Sequence, residues 1–307
     1  MKIAIFGAGG VGGYFGARLA EAGAEVSVIT RGAHLAAIRK DGLRVLSPLG
    51  DALFRPKASD SPEDLGPADI VVFCVKLYDV EAAAARLAPL IGPETAVISL
   101  QNGVDAEDRI AAVIGAKHVA GGVAYISVSI ESPGVIRHHA RFSRFVFAER
   151  DNSRSLRLER LLAVCKKAKG MDVDFAPDID KAIWEKFIMI GSVAATQGLT
   201  RLPLGPVMSD AERRWLLRGA MDEIEAVAKA RGVRISPDAA AKAFKTAEGM
   251  PTDMKSSLLH DLEKGNRIEI EGLSGAVWRL GAATGVPTPI HKTAYAALKS
   301  MAGGRPV

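Results

Sequence analysis

The sequence feature that most constrains the fold is a glycine-rich turn directly after the first apolar run of the chain. The run Lys2–Phe6 predicts a short buried parallel strand. Residues 7–12 then spell Gly-Ala-Gly-Gly-Val-Gly, a match to G-x-G-x-x-G, and residues 11–22 have the composition of a helix. Because the pattern follows a strand and opens a helix, it has the context of a dinucleotide-binding turn. The alternative is a glycine-rich turn that holds no ligand.

Three glycines of the turn would each have a separate physical role in a dinucleotide site. Gly7 permits a tight turn, Gly9 has no Cβ to block a pyrophosphate, and Gly12 lets the helix pack closely on the strand. The free N–H groups and the positive dipole end of the helix would face the phosphates. We therefore expect Gly7, Gly9, Gly10 and Gly12 to bind a cofactor.

Strand and helix signals alternate through the first half of the chain, which predicts a Rossmann-type doubly wound α/β sheet. The second half has helical periodicity and almost no strand signal. Pro177 and Asp178 mark a hinge between the halves, because proline disfavours helix before it and aspartate caps the helix after it. We expect two domains, over residues 1–177 and 178–307, with a ligand cleft between them. After the first strand, the predicted strands are 25–30, 70–75, 96–100 and 118–129, with 135–138 and 144–147 as a later hairpin or meander; the helices of the second half are 180–196, 209–231, 237–248, 252–264, 268–284 and 289–301.

Composition excludes several classes of protein. With 307 residues, 48% hydrophobic and 24% charged, the chain is neither disordered nor collagen-like. Cys74 and Cys165 are far apart in sequence, so we expect neither a disulfide scaffold nor a metal site. No apolar run approaches the roughly 18–20 residues of a membrane helix, and because Met1 and Lys2 run straight into a strand pattern we expect no cleavable leader. We expect a cytoplasmic protein without membrane or nucleic-acid partners, whose net charge of +5 suits a small anionic ligand.

The residue after the second strand selects the cofactor. An NAD enzyme usually carries Asp or Glu there to hold the ribose 2′-hydroxyl, whereas this chain has Thr30, Arg31 and Gly32. A guanidinium binds a 2′-phosphate through two hydrogen bonds, and a carboxylate would repel it. We therefore predict NADPH over NADH, with Arg31 at the 2′-phosphate. The alternative is a solvated surface arginine.

Two further polar residues follow strands at the same predicted edge of the sheet. Lys76 ends the run 70–75, and Asn102 follows the strand 96–100. We expect Lys76 to act as a cation near a phosphate or a substrate carboxylate, and Asn102 to lie near the nicotinamide end of the cofactor. The alternatives are a strand-end lysine that extends into solvent and an Asn-Gly turn.

A lysine and a glutamate occupy apolar helix faces. The residues one or two turns from Lys186 are all apolar, and burial lowers a lysine pKa toward the range of a general acid. Glu269 has the same setting in the helix predicted over 268–284, and a buried carboxylate needs a partner. Lys186 or a substrate hydroxyl is the expected partner; the alternatives are a solvated lysine and a purely structural ion pair. Ser257 is a candidate ligand of a substrate carboxylate or a helix cap, and His138 and His139 have no assigned role.

This constellation resembles the ketopantoate reductase (2-dehydropantoate 2-reductase) family over nearly the whole chain. The resemblance is carried, in order, by the glycine turn, Arg31, Val75-Lys76, Gln101-Asn102-Gly103, Trp184-Glu185-Lys186, Ser256-Ser257 and Glu269. It implies an NADP-binding first domain, a helical domain for substrate and dimerisation, and NADPH-dependent reduction of 2-dehydropantoate, a step toward pantothenate. It further implies that Lys186 is the general acid, that Glu269 holds the substrate hydroxyl, and that Lys76, Asn102 and Ser257 contact cofactor or substrate.

One departure from the family pattern concerns the substrate. Well-characterised members carry substrate-binding asparagines one and two turns after the catalytic lysine, whereas this chain has Ile190 and Ala194. A site that loses hydrogen-bonding groups discriminates less well between substrates. The sequence therefore leaves three possibilities: a ketopantoate reductase, a reductase of another 2-oxo acid, and a non-catalytic NADP-binding sensor.

Overall fold

The computed structural model describes residues 1–305, and the chain divides into two compact units. The first unit consists of Met1–Gln101 and Ala106–Ile179. The second consists of Asn102–Asp105 and the described residues from Asp180 onward. The predicted fold class, a doubly wound sheet followed by an all-α part, is confirmed.

The first unit is built on an eight-stranded sheet in the order β12-β11-β8-β7-β6-β1-β2-β5. All neighbours pair in parallel except β11 with β8. From β1 the chain first moves to β2 on one side and later returns to β6 on the other, so the carboxyl end of β1 lies at the switch point where such sheets bind ligands. The strands of this sheet are β1 (Lys2–Phe6), β2 (Glu25–Ile29), β5 (Lys57–Ser59), β6 (Ala68–Phe73), β7 (Ile91–Ser99), β8 (Val119–Tyr125), β11 (Arg144–Glu149) and β12 (Asp172–Phe175).

Both faces of this sheet are covered, because alternate residues of each strand point to opposite sides. Ile3 and Ile5 belong to one apolar cluster, and Ala4 and Phe6 belong to another. The first cluster includes residues of α1 and α5, and the second includes residues of α3 and α4. Buried on both faces, the strands have the near-continuous apolar runs that parallel strands require. The helices of this unit are α1 (Gly10–Glu21), α2 (Gly32–Asp41), α3 (Val80–Ala84), α4 (Ala106–Ile114) and α5 (Leu156–Cys165).

The first unit also contains a second, four-stranded sheet that was absent from the sequence prediction. Its order is β4-β3-β10-β9, with β3 (Leu43–Leu46), β4 (Ala52–Phe54), β9 (Val128–Ser132) and β10 (Val135–His138). The single strand predicted over 118–129 is wrong, because the chain leaves β8 at Tyr125 and starts β9 in the other sheet. The hairpin predicted from 135–138 and 144–147 is also wrong, since β10 pairs with β9 while β11 pairs with β8.

The described part of the second unit is helical. Its helices are α6 (Ile179–Thr200), α7 (Leu204–Met208), α8 (Ala211–Ala230), α9 (Ala239–Glu248), α10 (Ser257–Lys264), α11 (Ser274–Thr284) and α12 (Pro289–Leu298). Among residues 1–305, no helix is both long and apolar enough to span a membrane.

Two helices of this unit begin later than predicted, each for a tertiary reason. The helix predicted from 252 begins at Ser257, because the carbonyls of Thr252 and Met254 accept hydrogen bonds from the start of α7 instead. The helix predicted from 268 begins at Ser274, because the N–H of Ile268 donates to Ala302 and the following residues form turns.

Candidate functional site

The glycine turn lies at the carboxyl end of β1, with β2 and β6 on either side. Gly7 has a φ of +99°, and a Cβ there would lie 3.0 Å from the backbone of Cys74. A Cβ at Gly12 would overlap the carbonyl oxygen of Gly7. Both positions therefore require glycine, one for its left-handed backbone and one for the close approach of α1 to the turn.

The turn has the properties that a dinucleotide pyrophosphate requires. Gly9 is the N-cap of α1, has no side chain to cap the helix, and has no atom within 4 Å of where a Cβ would be. The first N–H groups of α1 therefore have no N-cap side chain as acceptor, and they lie at the positive end of the helix dipole. A Cβ at Gly10 would lie 3.2 Å from Val128, so a strand of the small sheet bounds the turn on that side. These residues fit a bound pyrophosphate.

Arg31 lies between the end of β2 and the start of α2. It is the N-cap of α2, its side chain is 85% exposed, and its Nη2 donates to Asp79 Oδ2 at 3.1 Å. The guanidinium of Arg31 is exposed at the end of β2 and is therefore accessible to a 2′-phosphate. A bound phosphate and the carboxylate of Asp79 would both interact with this one positive charge. Asp79 is a neighbour that the sequence prediction did not identify, because it is 48 residues away along the chain.

Lys76 lies beyond the end of its strand. The strand predicted over 70–75 ends at Phe73, where the N–H of Cys74 still donates to Phe6. Lys76 is half-buried, and its carbonyl accepts the N–H of Asp79 at 2.9 Å to start a short 3₁₀ turn. Its backbone is therefore fixed next to the strand edge, three residues after the end of the strand and not directly after it as predicted.

Gln101 joins the ends of β6 and β7, a role that the sequence prediction missed. Its Nε2 donates to the carbonyls of Phe73 at 3.0 Å and Val75 at 3.1 Å, and its Oε1 accepts from Ser99 Oγ at 2.7 Å. Because one amide satisfies groups on both strands, it fixes the backbone from which Lys76 and Asn102 continue. A glutamine between a strand and an Asn-Gly pair carries no periodic signal that would have found it.

The polar chain continues into α4 through Glu107. Burial raises the pKa of Glu107 to about 7, and the hydrogen bond from its own backbone N–H opposes that rise. The carboxyl is also hydrogen-bonded with the Ser99 side chain. The carboxyl lies in the first turn of α4, where the helix dipole favours negative charge. Glu107, Ser99 and Gln101 thus form one buried network beneath the segment that leads to Asn102.

Lys186 and Asn102 are brought together by the fold. Lys186 Nζ donates to Asn102 Oδ1 at 2.8 Å, across 84 residues of sequence. Asn102–Asp105 packs with the helical unit, although it follows β7 along the chain. The amide oxygen is a neutral acceptor, so it orients the amine without adding the negative charge that would raise the pKa of Lys186.

The amine of Lys186 is desolvated. Ile183 and Phe187 beside it on α6 are buried, and Lys186 is itself half-buried. Burial lowers the pKa of Lys186 to about 8. The lysine is therefore mostly protonated at neutral pH but gives up its proton far more readily than an exposed lysine.

Glu269 and Ser257 lie in the same unit. Glu269 is 8% exposed, as the apolar pattern predicted, but it lies in the turns before α11 and not in the helix. Its carbonyl accepts from the N–H groups of Gly272 and Leu273. Ser256 Oγ caps α10 by accepting the N–H of Leu259 at 3.2 Å, so the predicted cap alternative belongs to Ser256 and the exposed Ser257 starts the helix. The pairing of Lys186 with Glu269 stays a prediction.

Gln197 positions the start of α10, which the sequence prediction did not recognise. Its Nε2 donates to the carbonyl of Met254 at 2.9 Å, and its Oε1 accepts the N–H of Ser256 at 2.6 Å. The side chain is fully buried on α6, the same helix that carries Lys186. Helix α6 therefore fixes both the amine and the segment that leads to Ser257.

The two adjacent histidines have separate environments. His138 is buried, with Nδ1 at 2.9 Å from Ser47 Oγ and Nε2 at 3.0 Å from the carbonyl of Phe142, and its ring packs on Tyr14. His139 Nε2 lies 2.8 Å from Ser129 Oγ at the surface. His138 therefore stabilises the contact between α1 and the small sheet. Across residues 1–305, no group of His, Cys, Asp and Glu side chains has the arrangement of a metal site.

The parallel sheet with a glycine turn at its switch point defines the first unit as a Rossmann-type fold, here combined with a helical second unit. The family described as ketopantoate reductase PanE/ApbA matches residues 3–152, and its C-terminal part matches residues 178–302. The chain belongs to the ketopantoate reductase family.

Individual relatives agree over the full length. A 2-dehydropantoate 2-reductase of Mesorhizobium japonicum is 35% identical, over 98% of this chain and 98% of its own. One of Archaeoglobus fulgidus is 31% identical, over 99% and 98%. The crystal structure of a PanE/ApbA family ketopantoate reductase from Ralstonia eutropha has 34% identity and a TM-score of 0.89, with 98% of each chain covered. The resemblance inferred from the motifs is thereby confirmed.

Proposed function

We propose that this protein catalyses the NADPH-dependent reduction of 2-dehydropantoate to pantoate, with Lys186 as the general acid. The observation that carries the proposal is the buried Lys186 amine, with a pKa of about 8 and a hydrogen bond of 2.8 Å to Asn102. An oriented and readily released proton is what reduction of a carbonyl to an alcohol requires. Membership of the ketopantoate reductase family supports the choice of substrate.

The first unit supplies the proposed cofactor site. Gly7, Gly9, Gly10 and Gly12 would hold the pyrophosphate, and Arg31 would hold the 2′-phosphate. When bound, NADPH supplies the hydride for the keto carbon. Lys76 of the first unit and Asn102 of the second, whose backbones continue from the strand ends that Gln101 joins, are the proposed contacts to cofactor and substrate.

The second unit supplies the proposed acid and the substrate contacts. While it is protonated, the positively charged Lys186 amine stabilises the negative charge that develops on the keto oxygen. It then donates a proton to that oxygen and becomes neutral. Asn102 Oδ1 holds the amine in one orientation. Ser257 is the proposed donor to the substrate carboxylate, and the buried Glu269 is the proposed acceptor for the substrate hydroxyl.

A second candidate is the reduction of another 2-oxo acid by the same machinery. The observation that favours it is the pair Ile190 and Ala194 on α6, apolar side chains one and two turns after Lys186. Hydrogen-bonding groups at a site reject analogues that lack the matching hydroxyl far better than apolar groups do. Substrates without the hydroxyl of 2-dehydropantoate are therefore the alternatives to test.

The deciding experiment measures NADPH oxidation with 2-dehydropantoate beside a panel of branched and unbranched 2-oxo acids. We expect the highest kcat/KM with 2-dehydropantoate. A higher value with another acid would favour the second candidate, and no turnover with any acid would favour a non-catalytic cofactor sensor. The double variant Ile190→Asn with Ala194→Asn restores the amides of the family pattern, and its preference should move toward 2-dehydropantoate.

Cofactor preference has its own test. We expect Arg31→Ala to raise the KM for NADPH by about 10- to 100-fold, the effect of losing a hydrogen-bonded charge. The KM for NADH should stay unchanged, because NADH has no 2′-phosphate. Arg39→Ala, which removes an arginine from the other end of the same helix, is the matched control. A wild-type preference for NADH would contradict the assignment of Arg31.

A further inference from the structure

Both polar backbone groups of Ala8, in the middle of the glycine turn, have partners. Its N–H donates to the carbonyl of Ile29 at 3.3 Å, and its carbonyl lies 2.8 Å from Nε2 of His34. Ala8 is fully buried, so its carbonyl has no access to water. Because a buried carbonyl without a donor is costly, His34 determines which way this peptide group faces.

The two contacts of the His34 ring determine its tautomer. The N–H of Gly134 donates to Nδ1 at 3.0 Å, so Nδ1 carries no hydrogen. Nε2 must then carry the proton, and it donates to the carbonyl of Ala8. Burial lowers the pKa of His34, which favours the same neutral form, while the bond to Ala8 opposes that shift. One imidazole thus acts as donor on one side and acceptor on the other.

The position of His34 couples three parts of the first unit. It is the third residue of α2, the helix that Arg31 caps, and the carbonyl of Arg31 accepts the N–H of Leu35 at 3.4 Å. Gly134, with a φ of +78°, forms the turn between β9 and β10. The ring therefore ties the glycine turn to the start of α2 and to the small sheet.

We propose that His34 is a positioning residue for the cofactor: it holds the glycine turn in the conformation that receives the pyrophosphate and sets the start of α2 against it. The inference rests on the proposed function, since it assumes a nicotinamide dinucleotide in the turn. It adds a residue that the G-x-G-x-x-G pattern does not contain and that touches neither phosphate nor substrate in this proposal. Its consequence is a dependence of cofactor binding on a side chain 26 residues from Ala8.

The test measures the Kd of NADPH and of NADH for the full-length protein by titration of cofactor fluorescence. His34→Leu removes both ring contacts and should raise both Kd values by about tenfold, equivalent to about 1.4 kcal/mol. A loss of affinity for both cofactors is the signature of a disturbed pyrophosphate turn, whereas loss of Arg31 should affect NADPH alone. His34→Gln keeps one donor and one acceptor and should recover part of the affinity.

The matched control is His118→Leu. His118 is also buried in the first unit and also contacts a backbone carbonyl, that of Thr95 at 3.0 Å, but it precedes β8 at the amino end of the strand. We expect this variant to lower the Tm without changing either Kd. If His34→Leu and His34→Gln lower the Tm and leave both Kd values at the wild-type level, the ring is only structural and the inference is refuted.

A second readout needs no cofactor. Nitrogen-15 NMR of the imidazole should show a neutral ring with the proton on Nε2 at pH 7. A proton on Nδ1 would refute the inference even if the cofactor results agreed. Wild-type protein that binds neither NADPH nor NADH would refute the proposed function and this inference together, whereas wild-type binding that His34→Leu leaves unchanged would refute the inference alone.

Discussion

The replacement Asn102→Asp tests the proposed acid most directly, because it changes the charge beside Lys186 with almost no change in shape. In the wild type, burial lowers the pKa of Lys186 to about 8 from an ordinary value of 10.5. This difference corresponds to about 3 kcal/mol of lost solvation of the ammonium. The acid form is the protonated one, so kcat should be constant below pH 8 and fall about tenfold for each pH unit above it.

In the variant, the alkaline fall of kcat should shift to higher pH. Asn102 Oδ1 lies 2.8 Å from Lys186 Nζ, and an opposite charge at such a distance raises a lysine pKa by about 1–3 units. The decline in kcat should therefore begin no lower than roughly pH 9, so the kcat of the variant should stay constant from pH 8 to pH 9, where that of the wild type falls about tenfold. At pH 7 the variant should be slower than the wild type, because a more strongly held proton is a weaker acid.

The assay is kcat for 2-dehydropantoate reduction from pH 6 to pH 10, with the NADPH hydride replaced by deuteride in parallel runs. A full isotope effect ensures that the profile reports chemistry and not product release. Asn152→Asp is the matched control, because Asn152 Oδ1 accepts a backbone N–H from Ile179 and a carboxylate retains that bond. If kcat begins to fall at the same pH in Asn102→Asp and in the wild type, Lys186 is not the acid. A wild-type kcat that does not fall above pH 8 would also refute this role.

Three further predictions concern single residues. Lys186→Met should lower kcat by about 10²- to 10⁴-fold, the usual contribution of a general acid, while the Kd of NADPH stays unchanged; an unaffected kcat would exclude the role. Gln101→Leu removes the side-chain donor to the carbonyl of Val75 and leaves the carbonyl of Phe73 with only the N–H of Leu100, so urea unfolding should show a loss of about 2 kcal/mol. The kcat should fall with it, because the backbone of Asn102 is no longer fixed. If stability falls but kcat does not, the hydrogen bonds of Gln101 do not position the proposed catalytic site. Burial lowers the pKa of His291 to about 4, and its bond to Ala220 opposes that shift, so the folded state resists a proton that the unfolded chain takes up below about pH 6.5. The wild type should therefore lose about 2–3 kcal/mol more than His291→Gln between pH 7 and pH 4.5, measured by urea unfolding, and equal losses would contradict this assignment.

Local sequence patterns predicted those strands and helices whose bounds do not depend on contacts with distant segments. The strand Lys2–Phe6 and the helix after the glycine turn form as expected. An apolar run and a glycine spacing are local signals, because a few neighbouring residues are enough to define them. The helices of the second unit were also predicted, apart from the short α7. Their starts were less predictable, because α10 and α11 begin five or six residues late. The carbonyls of Thr252 and Met254 bond to a distant segment before α10, and the residues before α11 form turns.

The candidate site divides in the same way. Apolar neighbours at helical spacing were enough to predict that Glu269 is buried and that Lys186 is partly withdrawn from solvent, although Glu269 lies in a turn. The acceptor for Lys186 was not predictable, because no local rule pairs residues 84 positions apart. Gln101, Gln197 and His34 were missed for a related reason, since each bonds to backbone groups of another segment and leaves no periodic trace.

The sequence by itself determined the Rossmann-type sheet, the glycine turn at its first strand, the helical second half and the family, because these depend on residue type and short-range spacing. The tertiary structure alone decided which side chains meet: an amide oxygen beside the lysine, an arginine beside Asp79, and an imidazole between two turns. Hydrogen bonds act over about 3 Å, and only the folded chain brings groups that are far apart in sequence within that distance.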